Sequence, residues 1–198
     1  MMKRPLIFLD IECSALRPGW RGEFYGELLE VAIIIDYHDH IEERVWRMEP
    51  ENTELHDPIS LKINQYDKRM NDYNLTPWSL VIEHIQKALT TQKGYIVGHN
   101  VQFDVHYINF YLKQTHLKTV PLRCIDTMTL AHEHLTPLGL RGLGLDRIRS
   151  FFGWKLDGHN ALKDVRDTRK LYYKLRRATV IQRFYWRLKR YVYQLFTA

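Results

Sequence analysis

The chain has 198 residues, 45% of them hydrophobic, 13% aromatic and 26% charged, with a mean hydropathy of -0.39, which describes a packed globular domain and excludes a disordered tail protein or a fibrous repeat. Two cysteines, Cys13 and Cys124, are too few for a disulfide framework, and the longest purely apolar run, Val31 to Ile35, is far too short for a membrane span. The charge is unevenly placed: twenty basic residues meet 23 acidic ones up to Asp167, and nine basic residues with no acidic one follow it. A basic, aromatic C-terminus on a slightly acidic body points to a polyanion, a membrane surface or an acidic partner, with nucleic acid the first candidate, or to a solvated helix face.

In chain order, Arg4 to Asp10 is short and apolar and ends in a carboxylate, which predicts a buried strand, while Leu6 to Leu9 stops too soon for a signal peptide. These features place the protein in the cytoplasm or another reducing intracellular compartment, with no membrane insertion. Arg17 to Gly22 reads as a loop from its Pro and Gly content, Leu28 to Asp36 as a central strand apolar on both faces, and Ile41 to Met48 as a third strand. Three strands without intervening helices imply antiparallel pairing. Thr76-Pro77 predicts an N-cap followed by Pro at the first helical position, opening a helix through Val81, Ile85 and Leu89. Strands at Gly94 to Gly98 and Leu122 to Asp126 then alternate with helices at Val101 to Gln114 and from near Thr127, Leu140 and Asn160. The expected fold is α/β, a mixed sheet with helices on its faces.

Three acidic segments fall at the predicted carboxyl edge of that sheet. In Asp10-Ile11-Glu12 the two carboxylates, two residues apart on a strand, point the same way and repel unless a cation lies between them. Taken alone, Asp-x-Glu is common on surfaces. In His99-Asn100-Val101-Gln102-Phe103-Asp104, a strand end enters a helix, the position where such sheets hold ligands; helix capping by Asn100 and a dipole contact by Asp104 account for it equally well. In His159-Asn160-Ala161-Leu162-Lys163-Asp164, His159 and Asp164 converge only if His159 precedes the helix, which Gly158 favours; a histidine so placed accepts a proton from water near neutral pH.

Together the segments resemble the Exo I, Exo II and Exo III motifs of the DEDDh family of 3′-to-5′ exonucleases, the DnaQ-like group within the ribonuclease H-like fold. The matching residues are Asp10 and Glu12, then Asn100-x-x-Phe103-Asp104, then His159-x-Ala161-x-x-Asp164. The DEDDy branch has a tyrosine where this chain has Asn160, so His159 fills the base position. The resemblance spans about Arg4 to Arg176 and implies a five-stranded sheet, three antiparallel strands then two parallel, in a domain of residues 1–177. A basic aromatic helical extension, 178–198, lies beyond it. Where the family has Thr-Thr-Gly after the first acidic pair, this chain has Cys13-Ser14-Ala15-Leu16. Asp126 reads as structural.

The resemblance implies two divalent cations, Mg²⁺ or Mn²⁺, held by Asp10, Glu12, Asp104 and Asp164, with His159 as general base and a nucleoside 5′-monophosphate as product. It further implies substrate contacts from Cys13, Ser14, Leu16, Asn100 and Phe103 to a single-stranded 3′ end, although Phe103, at helical spacing from Tyr107 and Phe110, fits a core position equally well. Beyond the match, Leu171, Leu175, Ala178, Ile181, Tyr185, Leu188, Val192 and Leu195 recur at helical spacing, interleaved with Arg183, Arg187, Lys189 and Arg190. Such a helix binds nucleic acid, docks on a protein partner or packs on the body. A catalytically silent nucleic-acid-binding or scaffold protein, and a ribonuclease H-like endonuclease, are the alternatives on the same fold. Choice between DNA and RNA rests on contacts to the 2′ hydroxyl, which no motif here reports.

Overall fold

The computed structural model describes residues 4–21, 24–64, 66, 74–121, 123–156, 160–179, 181–182 and 184–188. A five-stranded sheet is built from β1 (Leu6–Cys13), β4 (Leu28–Asp36), β5 (Ile41–Arg47), β6 (Tyr95–Gly98) and β7 (Cys124–Asp126), in the order β5-β4-β1-β6-β7. Strands β1, β4 and β5 pair antiparallel, and β6 and β7 add in parallel. The sheet is therefore the expected three-then-two arrangement. All nine residues of β4 are buried, as its apolar character on both faces predicts. β1 extends three residues past its expected end because Ile11 and Glu12 keep pairing with Val31 and Glu30, and the register shifts only between Glu12 and Cys13.

Helices α2 (Trp78–Thr90) and α3 (Val101–Gln114) cover one face, where Ile7, Leu9 and Ile11 meet Val81, Ile85, Val105 and Ile108. Helix α6 (Ala161–Arg176) covers the other, packing Ala161, Val165 and Tyr172 on Leu6, Phe8 and Ile34. Between them run α4 (Thr127–Leu135) and α5 (Leu145–Phe152), which share a satellite core with Leu171 and Leu175 of α6. No helix among the described residues is long and apolar enough to cross a membrane.

Four local expectations need correction. The loop after β1 contains a small hairpin, β2 (Gly19–Arg21) with β3 (Phe24–Gly26), in which Gly19 pairs with Gly26. The position of Gly26 excludes a side chain, since a Cβ there would lie 1.8 Å from the Arg17 carbonyl oxygen. Thr76 does not cap α2: its backbone N–H donates to Arg47 O and its carbonyl accepts from Glu49 N, extending the edge of β5, and the helix begins after Pro77. The helix expected near Leu140 starts at Leu145, because Gly139 and Gly142 take positive φ of 87° and 86° that a helix cannot continue through. Helix α1 (Pro58–Asn64) was not anticipated; Asp57 accepts from Ile59 N (3.0 Å) and Ser60 Oγ (2.9 Å) at its start. The last predicted strand begins at Cys124, and Leu122 lies outside the described residues.

The candidate metal centre

Alternation along β1 sets the site. Leu6 and Phe8 point into the core beneath α6, so Asp10 and Glu12, of the same parity, emerge on the α6 side where the sheet ends. The first turn of α6 carries Asp164, and Asn160 fixes that turn by accepting Lys163 N (3.1 Å) while its carbonyl takes Asp164 N (2.9 Å). Carboxylate oxygens of Asp10, Glu12 and Asp164 lie within 4.8 Å of one another. Asp104 arrives from the opposite face on α3, buried, with Oδ1 accepting the Ile11 backbone N–H at 3.0 Å. It stands outside that closest triad, yet its charge is the largest neighbouring charge raising the Asp10 pKa.

The electrostatics match this crowding. Asp10 is held well above the ordinary carboxylate range, first by desolvation, then by the charges of Asp104, Asp164 and Glu12, with Arg149 acting against them. Asp104 is also raised, by burial, against the hydrogen bond from Ile11. Clustered hard oxygen donors that repel one another in the ionised form suit a divalent cation of the Mg²⁺ or Mn²⁺ kind. Cys13 is not among the clustered donors, and burial pushes its thiol up to about 12.

The expected substrate residues divide. Leu16 is 76% exposed on the loop after β1. Asn100 is exposed in the left-handed conformation (φ 62°) before α3, with its N–H donating to Asp126 Oδ1 (3.0 Å) and no side-chain capping bond. Phe103 is half-buried against the core, its ring 5.3 Å from that of Tyr107. Cys13 is half-buried, and its carbonyl accepts from Asn64 Nδ2 (2.7 Å). Ser14 is fully buried; its hydroxyl donates to Tyr25 O (3.1 Å) and accepts Glu27 N (2.8 Å), so the side chain serves the fold and is not available to a substrate. Asp126 accepts from Met128 N (2.8 Å) as the N-cap of α4, the structural role expected of it. His159 lies outside the described residues.

Two groups around the site were not singled out from the sequence. Arg149 of α5, only 1% exposed, donates Nη2 to Asp164 Oδ1 (2.6 Å), Nη1 to Asp146 Oδ1 (2.9 Å) and Nε to Asp167 Oδ2 (2.8 Å). Its signal was an arginine on the apolar stripe of an amphipathic helix, four residues after Leu145 and one after Ile148. Glu27 is the other: buried, it accepts from His56 Nε2 (2.5 Å) and from the N–H groups of Glu51 and Asn52 (3.1 Å each), and these bonds outweigh burial and lower its pKa. This knot ties the segment before α1 to the loop that follows the acidic pair. Its residues are 25 or so apart in sequence and follow no motif, so no signal marked it.

A family model described as an exonuclease, that of RNase T, matches residues 7–172, a stretch that encloses every carboxylate of the centre. Similar solved structures include the zinc-bound E. coli exonuclease I complex with single-stranded DNA (TM-score 0.72, 18% identity, 88% of this chain and 41% of that one). A product-bound exonuclease I (0.71, 17%, 92% and 46%) and E. coli exonuclease I with a dT13 oligonucleotide (0.68, 18%, 87% and 41%) are comparable. The chain thus spans less than half the length of these proteins. No curated protein matches it significantly in sequence. With the family model covering most of its length and the sheet carrying the acidic motifs in the expected places, the chain belongs to the RNase T exonuclease family, the DEDDh (DnaQ-like) group of ribonuclease H-like fold.

Proposed function

We propose that the protein is a metal-dependent 3′-to-5′ exonuclease that removes nucleoside 5′-monophosphates from single-stranded DNA or RNA ends. The observation that carries this reading is the convergence of Asp10, Glu12 and Asp164 to within 4.8 Å from two separate elements, with Asp104 locked behind them through Ile11. Family membership and the single-stranded DNA bound to similar exonucleases support the substrate class.

Two Mg²⁺ or Mn²⁺ ions fit the donor set, held by Asp10, Glu12, Asp104 and Asp164; when bound, such ions supply charge neutralisation at the phosphate and lower the pKa of water. Asp10, buried and surrounded by the carboxylates of Asp104, Asp164 and Glu12, would be one of the residues holding the metal. The chain's own contribution is positional: the β1 strand end and the α6 cap hold the carboxylates, and Asp104 is anchored by a backbone bond. His159, five residues before Asp164, is assigned as the base that takes a proton from water. Leu16 and Asn100, both exposed, are assigned to the terminal nucleotides. Residues 1–177 form the nuclease unit, and 178–198 an extension that adds basic charge for the strand.

The test uses 5′-labelled DNA and RNA oligonucleotides of matched sequence, each with a free or blocked 3′ end, with Mg²⁺ or Mn²⁺. Stepwise shortening only from free 3′ ends, stopped by EDTA and by Asp10→Ala, is the expected result. Internal cuts would replace it with an endonuclease, and binding without cleavage under every metal condition would leave a silent binding protein.

A further inference from the structure

We propose that Arg149 is a positioning residue of the metal centre: it grips Asp164 by one oxygen and so presents that carboxylate, already oriented, to a divalent cation. The inference rests on the metallo-nuclease reading above and concerns a residue outside the acidic motifs.

The geometry of the guanidinium carries it. An arginine and an aspartate left to themselves pair through two parallel bonds, which occupy both carboxylate oxygens. Here the fork is shared instead: Nη1 bonds Asp146 Oδ1 at 2.9 Å and the single N–H of Nε is taken by Asp167 Oδ2 at 2.8 Å. Only Nη2 reaches Asp164, through Oδ1 at 2.6 Å. A carboxylate has two oxygens and about four lone-pair sites, so a single donor leaves Asp164 with capacity to bind an ion. Asp167 is itself held by Lys163 Nζ at 3.1 Å, which keeps the outer arm of the fork in place.

Charge points the same way. One guanidinium balances one carboxylate, whereas Arg149 serves three and also acts on Asp10. It softens the repulsion in the cluster without neutralising it, so the centre stays anionic enough to attract a divalent ion. Burial makes the contact strong: the Arg149 side chain is 1% exposed, where water screens little. A lysine in its place would keep the positive charge but offer a point donor that cannot reproduce a three-armed fork.

The experiment is Mn²⁺ binding by the full chain without nucleic acid, measured by calorimetry and by electron paramagnetic resonance. Arg149→Lys is expected to melt cooperatively and to bind Mn²⁺ about tenfold more weakly, the loss typical when a group that orients a metal ligand is altered. Affinity within twofold of the parent would overturn the proposal. A second measurement needs no variant: the Arg149 side-chain N–H resonances of the wild-type protein should shift on saturation with Mg²⁺, whereas those of Arg166, bonded to Glu43, should not. An unmoved Arg149 signal would likewise overturn it. Asp10→Ala separates the two levels: if it leaves Mn²⁺ uptake unchanged the metallo-nuclease reading itself fails, and if it abolishes uptake while Arg149→Lys binds normally only the role of Arg149 falls.

Discussion

Asp104 Oδ1 accepts the backbone N–H of Ile11, the residue that separates Asp10 from Glu12, at 3.0 Å. One bond therefore joins the second acidic segment to the first across the sheet, from α3 on one face to the strand end whose carboxylates open on the other. Asp104→Asn keeps an oxygen that can accept this bond while deleting the charge. The expected outcome is a fold melting within a few degrees of the parent, with exonuclease activity reduced by at least about 100-fold, the upper range for lost metal-site support. Thermal melting and a gel assay on the same preparation check it; a large stability loss would show that the charge, and not the acceptor, holds β1 in place.

Ser14 lies two residues after Glu12 but faces inward, where it receives the Glu27 N–H. Ser14→Ala leaves that buried donor without its acceptor and should cost about 1–3 kcal/mol of stability. The KM for a short oligonucleotide should stay within twofold of the parent. A raised KM at unchanged stability would return Ser14 to the substrate site.

Asp36, 2% exposed at the end of β4, is bonded by Tyr173 Oη, Arg169 Nε and His38 N, each at 2.8 Å. Burial pulls its pKa upward, but these donors prevail and hold it below the ordinary 3.8. A depressed carboxylate contributes stability that is complete above the unfolded value and fades as pH falls through the folded one. Asp36→Asn should therefore be less stable than the parent by about 1–3 kcal/mol at neutral pH. The gap should narrow only below about pH 4. Denaturant unfolding at neutral pH and at successive steps below about pH 4 follows the change; a gap that stays constant at every step would mean that shape, not ionisation, is what the asparagine disturbs.

The difference between what was legible and what was not follows from range. The apolar run of β4 and the two-residue spacing of Asp10 and Glu12 are local patterns, and each has a direct structural meaning through the strand period. Helix α1 had a local sign as well: Asp57-Pro58 repeats the logic of Thr76-Pro77, and here the aspartate does cap. Thr76 misled because its backbone was claimed by the edge of β5, a contact between segments some thirty residues apart. Arg149 shows the same limit. Its charge at an apolar helical position was visible, but that it reaches Asp164 and Asp167 depends on how α5 docks against α6.

The tail shows how a broken helix resets a pattern. Continued from α6, the helical stripe places Ile181, Tyr185 and Leu188 inward, yet α6 ends at Arg176 and these three are 80%, 60% and 51% exposed. Thr179 and Gln182 exchange bonds in a capping box, Thr179 N to Gln182 Oε1 (3.0 Å) and Gln182 N to Thr179 Oγ1 (3.2 Å), which starts a new helix with its own phase. In that phase Trp186 meets the body, its ring 5.2 Å from that of Phe152 and beneath Lys174. Deleting residues 179–198 removes Arg183, Arg187, Lys189 and Arg190. If all four touch phosphates, the slope of log affinity against log salt should flatten by about 3, at roughly 0.7 per contact for a single strand. Titration of a fluorescent oligonucleotide at several salt concentrations, with the nuclease silenced by Asp10→Ala, reads this directly. An unchanged slope would remove the tail from the strand's path and leave it to docking on a protein partner or to packing on the body.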